Sequence, residues 1–99
     1  MARITSHVVI RGRVQGVCFR MFVEHTAERL NLEGWVRNKR DGSVEAVFAG
    51  PEETVAEAIA ACRKGPRGSL VESVDAGEGS LDLLQQRNPG ERFSVLRTA

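Results

Sequence analysis

Residues 6–30 read SHVVIRGRVQGVCFRMFVEHTAERL, and a change of rhythm inside this stretch decides the fold. Val8, Ile10, Gly12 and Val14 stand two apart on one face, with Arg11 and Arg13 on the other. That period belongs to a strand with one buried side. After the short turn Gln15-Gly16-Val17-Cys18 the spacing lengthens. Phe19, Phe22, Val23, Thr26, Ala27 and Leu30 recur at threes and fours, the apolar stripe of a helix, and Asn31 and Gly34 stand where it should end.

Working outward, residues 35–39 and 43–48 flank Arg40-Asp41-Gly42. Asp-Gly between two β-prone runs is a strong hairpin signal, because Gly supplies the positive φ of the turn. Gly50-Pro51-Glu52-Glu53 opens a second helix, with Pro51 expected at its first position and carboxylates at the positive end of its dipole. Val55, Ala58, Ile59 and Cys62 line its buried side, and Lys64 and Gly65 close it. Leu70 to Asp75 alternates as a strand, and Phe93 to Leu96 reads as a last one. Between them residues 77–90 are polar and turn-rich apart from Leu81-Asp82-Leu83-Leu84, and no element is assigned there. The order predicts a single α+β domain over residues 1–99. Its plan is the ferredoxin-like βαββαβ sandwich, an antiparallel sheet with two helices on one face.

Composition bounds the function. With 14 Lys and Arg against 13 Asp and Glu the net charge is +1, without the basic excess that supplies a nucleic-acid module with its affinity. An RNA-recognition domain shares the element order but stacks bases on aromatic residues of its central strands. Here the first strand has none and the third has only Phe48, on its buried face. Val8-Val9-Ile10 is the only apolar run before Arg11, so neither a signal peptide nor a membrane span is expected and the cytoplasm is the default. The two cysteines, Cys18 and Cys62, lack zinc-site spacing, and a disulfide between them is not required.

The chemistry concentrates at Gly12 to Arg20, where a strand enters a glycine turn and then a helix. The first N–H groups of a helix have no internal partners, and with the dipole they form an anion site. Gly16 leaves room for close approach of an oxyanion. Arg20, in the first turn, can present a planar fork to phosphate oxygens. Taken alone, such a glycine is more often only a turn and such an arginine only solvated. Neither a Walker loop nor a dinucleotide fingerprint is present. Glu24 stands where a cysteine-dependent phosphatase loop would carry its arginine, so Cys18 is not read as a nucleophile.

The stretch Gly12-x-Val14-Gln15-Gly16-Val17-x-Phe19-Arg20 resembles the signature of the acylphosphatase family. A second signature, Gly34-Trp35-Val36-Arg37-Asn38 followed by Asp41-Gly42-Ser43-Val44-Glu45, is also present. The resemblance implies a ferredoxin-like fold and hydrolysis of acyl phosphates to carboxylate and phosphate. Arg20 then matches the phosphate-binding arginine and Asn38 the asparagine that orients the attacking water. The backbone of Gln15, Gly16, Val17, Cys18, Phe19 and Arg20 matches the phosphate cradle. No metal, cofactor or covalent intermediate is implied, because the leaving carboxylate is weakly basic and phosphoryl transfer asks mainly for positioning and charge neutralisation. The expected partner is a small acyl phosphate, with no nucleic acid or membrane, and a monomer is expected. The same loop resembles the module that opens large hydrogenase-maturation carbamoyltransferases, but cysteine-rich zinc motifs are absent here. His7 and His25 show no partner pattern and are expected at the surface or in helix packing. Arg11, Arg13, Arg37, Lys39 and Arg40 are expected to face solvent, and Trp35 to be a structural anchor.

Overall fold

In the computed structural model, which describes residues 2–99, the alternation of the opening stretch becomes β1 (Arg3–Arg13) and its helical stripe becomes α1 (Phe19–Arg29). β2 (Glu33–Asn38) and β3 (Val44–Pro51) form the hairpin, α2 (Glu52–Lys64) follows, and β4 (Leu70–Glu78) returns to the sheet. A four-residue helix α3 (Leu81–Leu84) and a three-residue strand β5 (Phe93–Val95) complete the chain. The strand order is β4-β1-β3-β2-β5. Its first four strands pair antiparallel and give the split βαβ plan expected.

The sheet is mixed rather than wholly antiparallel, because β5 runs parallel to β2, with Gly34 opposite Phe93 and Val36 opposite Val95. β4 ends opposite the start of β1, the end of the sheet at which β2 also starts, so the chain crosses by way of α3 and enters β5 in the direction of β2. Three further expectations shift. β1 begins at Arg3 and ends before Val14. Pro51 is the last residue of β3 and the N-cap of α2, one position before the place expected, with φ −58° and ψ 141°. β4 does not alternate throughout: the register against β1 jumps between Arg11 and Gly12, where Ser73 and Val71 are the partners, so Glu72 is the extra residue of a bulge. The bulge turns Val71 and Val74 toward the same core, although they are three residues apart, and leaves Leu70 61% exposed.

α1 and α2 cover one face of the sheet. Beneath them Val8, Ile10, Val36, Val44, Ala46 and Phe48 meet Phe19, Val23, Ala27, Val55, Ala58 and Cys62. Phe48 therefore lies in the core, stacked on Phe93 at 6.1 Å between ring centroids, and offers no base-stacking platform. α1 ends in a Schellman motif: Asn31 takes φ 60°, its N–H bonds to Glu28, and the N–H of Leu32 bonds to Ala27. The unassigned 77–90 segment covers part of the opposite face. α3 lays Leu84 on Trp35, Val47 and Ala49, and the Trp35 indole N–H donates to the Leu83 carbonyl at 2.6 Å. Trp35 is thus the anchor of a second, smaller core.

Candidate functional site

The turn between β1 and α1 has an unusual backbone rhythm. Gly16 has φ 75° and Cys18 φ 59°, whereas Gln15 and Val17 have negative values. Alternating hands of this kind curl successive N–H groups toward one side and make a concave anion nest. Among the described residues, no backbone N–H from Gly16 to Met21 has an acceptor within the protein, and the ladder of α1 begins with the Phe22 N–H on the Cys18 carbonyl at 3.0 Å. A Cβ at Gly16 would meet open space, so the glycine serves the positive φ and an open approach rather than close packing. Cys18 holds a left-handed conformation at the N-cap without a glycine's freedom, a local strain of about 1–2 kcal/mol.

Val14, Gln15, Gly16, Cys18, Phe19, Arg20, Met21 and Asn38 line one pocket of about 310 Å³ over this nest. Arg20, the second residue of α1, is half-buried, and its guanidinium makes no ion pair or hydrogen bond among the described residues. It is the only charged side chain in the lining. Asn38 ends β2 on the face it shares with Val36, toward the helices. Its side chain is half-buried and makes no hydrogen bond within the described residues. The structure thus brings the expected residues together: Gln15, Gly16, Cys18, Phe19, Arg20 and Asn38 share one pocket. Val17 belongs to the turn but packs its side chain against the core rather than lining the pocket. Phe19 is buried beneath the turn, edge-on to Phe22 at 5.8 Å, so only its backbone can serve a ligand.

Sequence reasoning passed over Val14 and Met21 as lining residues. Met21 carried a signal: it lies off the stripe of α1, an apolar residue without a core to face, and is 66% exposed. The side-chain role of Gln15 was also missed. Its amide nitrogen donates to the Lys39 carbonyl at 2.7 Å and the Ser43 carbonyl at 2.9 Å.

The charged residues near the hairpin stand elsewhere. Arg37 lies over the Trp35 ring at 4.7 Å and donates from Nε to Glu45 at 2.7 Å. His7 bonds through Nε2 to the other Glu45 oxygen at 2.6 Å, and Arg11 pairs with Asp75 at 2.9 Å. None of Arg11, Arg13, Arg37, Lys39 and Arg40 lines the pocket, and His25 is exposed. Burial pushes the Glu45 carboxyl up, but hydrogen bonds from His7 and Arg37 and the charges of Arg37 and Lys39 outweigh it and hold its pKa below the usual value. At the turn, the Ser43 hydroxyl and N–H both donate to Asp41 and lower its pKa. Cys18 and Cys62 are free thiols, one exposed and one buried, and burial pushes the Cys62 thiol up to about 12. Among the described residues no three His, Cys, Asp or Glu side chains converge as metal ligands, and no helix is long and apolar enough to cross a membrane.

A larger cleft of about 540 Å³ lies between the start of β1 and the end of β4, lined by Glu52 and Glu78, with its Arg3 already paired to Glu33. Size does not favour it, since its two carboxylates repel an anion and its one cation is already paired.

The class these features define is a ferredoxin-like α+β protein with a concave run of backbone N–H groups at its first strand–helix turn, beside an arginine and an amide that are unpaired among the described residues. The sequence model of the family described as Acylphosphatase matches residues 6–93. An acylphosphatase of Rhodopseudomonas palustris (strain BisB18) is 59% identical over 98 residues, which are 99% of this chain and 99% of that protein. The crystal structure of acylphosphatase from Bacillus subtilis aligns with a TM-score of 0.80 at 34% identity, covering 94% of this chain and 98% of that one. The structure of an acylphosphatase from Coxiella burnetii aligns with a TM-score of 0.81 at 32% identity, covering 95% and 93%. The chain belongs to the acylphosphatase family, and its activity is that of an acylphosphatase.

Proposed function

We propose that the pocket at the β1–α1 turn hydrolyses the carboxyl–phosphate anhydride of a small acyl phosphate, with Arg20 and the backbone from Gln15 to Arg20 holding the phosphoryl group and Asn38 placing the attacking water. One observation carries this reading: a run of N–H groups without acceptors, a guanidinium without a partner and an amide without a partner all open onto the same 310 Å³ pocket. Unpaired donors held in place by a packed scaffold cost little reorganisation when charge arrives, which is the requirement for electrostatic stabilisation of a transferring phosphoryl group. The nest and Arg20 take the non-bridging oxygens. Asn38, with one donor and one acceptor face, holds a water in line with the phosphorus. The bond from phosphorus to the acyl oxygen breaks as the water's oxygen bonds to phosphorus, giving carboxylate and inorganic phosphate. The departing carboxylate is weakly basic and needs no general acid, and the phosphoryl oxygens themselves take the water's proton, since no His, Asp or Glu lines the pocket.

The free thiols fit a reducing compartment, and we assign the protein to the cytoplasm as a single-domain monomer. The test is steady-state hydrolysis of benzoyl phosphate in the presence and absence of excess EDTA. Turnover unchanged by the chelator is expected. Absence of turnover would overturn the reading, and a loss that magnesium or zinc restored would overturn its metal independence.

A further inference from the structure

Gln15 stands at the joint between β1 and the nest, and its side chain reaches across to the hairpin that carries Asn38. Its amide nitrogen has two hydrogens, and both are used, on the carbonyls of Lys39 at 2.7 Å and Ser43 at 2.9 Å. Two carbonyl partners also fix which end of the amide is nitrogen. The acceptors are the closing pair of the hairpin. The Ser43 carbonyl already accepts from the Lys39 N–H at 2.8 Å, and the Lys39 carbonyl from the Gly42 N–H at 3.1 Å. Gln15 therefore takes the second lone pair of each, next in sequence to Asn38. Among the described residues these are the only hydrogen bonds joining residues 14–18 to residues 39–43.

The two halves of the pocket come from separate parts of the chain, and each is held mainly by its own element. The nest is set by the start of α1 and Asn38 by the end of β2. We propose that the Gln15 side chain is a positioning residue for the reaction: it sets the distance between the phosphate held by the nest and the water held by Asn38. The inference rests on the reading of Asn38 given above. An in-line attack is sensitive to that distance, since a misplacement of about 1 Å can lower a rate by about a hundredfold. A resting phosphate touches only the nest and Arg20, so its affinity should be insensitive to it.

Gln15→Met keeps the length of the side chain and removes both donors. The experiment measures benzoyl phosphate hydrolysis, inhibition by inorganic phosphate and thermal unfolding for Gln15→Met, Asn38→Ala and the double variant. The expected result is a kcat lowered by about tenfold to a hundredfold in Gln15→Met, with the phosphate inhibition constant changed by less than about twofold. In the Asn38→Ala background the same substitution should change kcat by less than about twofold, because the group it positions is gone. Gln15→Asn, which keeps the amide but is one methylene short of the span, carries the same expectations and replaces Gln15→Met if that variant does not fold. An unchanged kcat would overturn the inference. Phosphate inhibition weakening in step with kcat would do so too, because the tie would then be shaping the nest. A full Gln15 effect persisting without Asn38 would place its action elsewhere. If Asn38→Ala alone kept wild-type turnover, the reading of Asn38 would fail first and this inference with it.

Discussion

Replacing Arg20 by lysine separates charge from geometry in the pocket. Arg20 is the only charged side chain in the lining, so no neighbour takes over its role. At about 4 Å and an effective dielectric of about 20, a cation beside a unit negative charge contributes about 4 kcal/mol, or about three orders of magnitude in rate if the interaction is realised at the transition state. Arg20→Ala should therefore lower kcat/KM for benzoyl phosphate by about a thousandfold and weaken inhibition by inorganic phosphate in parallel. Lysine returns the charge but not the planar fork, and its ammonium is more strongly hydrated, so Arg20→Lys should recover no more than about tenfold of that loss. The assay is the initial rate followed by ultraviolet absorbance of the anhydride, with phosphate as competitive inhibitor. An Arg20→Lys enzyme within a few-fold of wild type would refute the fork. An Arg20→Ala enzyme that lost turnover but kept its phosphate affinity would refute the placement of Arg20 on the phosphoryl group.

Asn38→Ala should lower kcat severely while leaving phosphate inhibition nearly unchanged, and Asn38→Asp should do worse in kcat/KM, because a carboxylate repels the dianion; an active aspartate variant with a general-base pH profile would contradict the mechanism. Glu45→Gln tests the charge network on the sheet's other face. The folded pKa of Glu45 lies below its usual 4.5, so its contribution is present above that pH and disappears as pH falls through the folded value. The variant should be less stable than wild type by about 1–3 kcal/mol at pH 7, with the gap in Tm closing on acidification, and a gap constant from neutral to strongly acid pH would count against this. Trp35→Phe should cost about 0.5–1.5 kcal/mol, because the Leu83 carbonyl loses the indole donor and keeps only the Gln86 N–H, with thermal unfolding as the measure; a Tm equal to wild type would show that α3 does not depend on that bond.

The legible parts of the sequence were those whose signal is local. Val8 and Ile10 declare a one-sided strand, the 19-22-23-26-27 stripe a helix, and Asp41-Gly42 a hairpin, and each of these stands in the structure, with Val14 just past the end of β1 and Leu30 at the C-cap of α1. What was not legible depends on distant partners. The bulge at Glu72 exists only against β1 and breaks the alternation that a continuous strand would show. β5 is three residues long, and its parallel direction follows from the route of the chain past α3, which holds a single buried residue, Leu84, in a polar segment. At the site, the glycine turn and Arg20 could be read from chemistry, whereas Asn38 rested on family resemblance, since a lone asparagine at the end of a strand has no spacing signal. The tie made by Gln15 was invisible for the same reason as the bulge, because its acceptors are main-chain atoms of a remote hairpin.

The two strands at the margins of the sheet bear on how the protein behaves at high concentration. An open margin of unpaired N–H and C=O groups is a template on which another molecule can add a strand. Here neither margin is a good one. On one side β4 is bent by its extra residue at Glu72 and exposes the Glu72 and Glu78 carboxylates, so a straight incoming strand meets a kink and negative charge. On the other, only Phe93 to Val95 form regular strand, and the chain then follows β2 irregularly, with the Leu96 N–H on the Val36 carbonyl at 2.9 Å and the Ala99 N–H on the Asn38 carbonyl at 3.0 Å. The irregularity that obscured β4 in the sequence therefore makes that margin a poor template for an added strand.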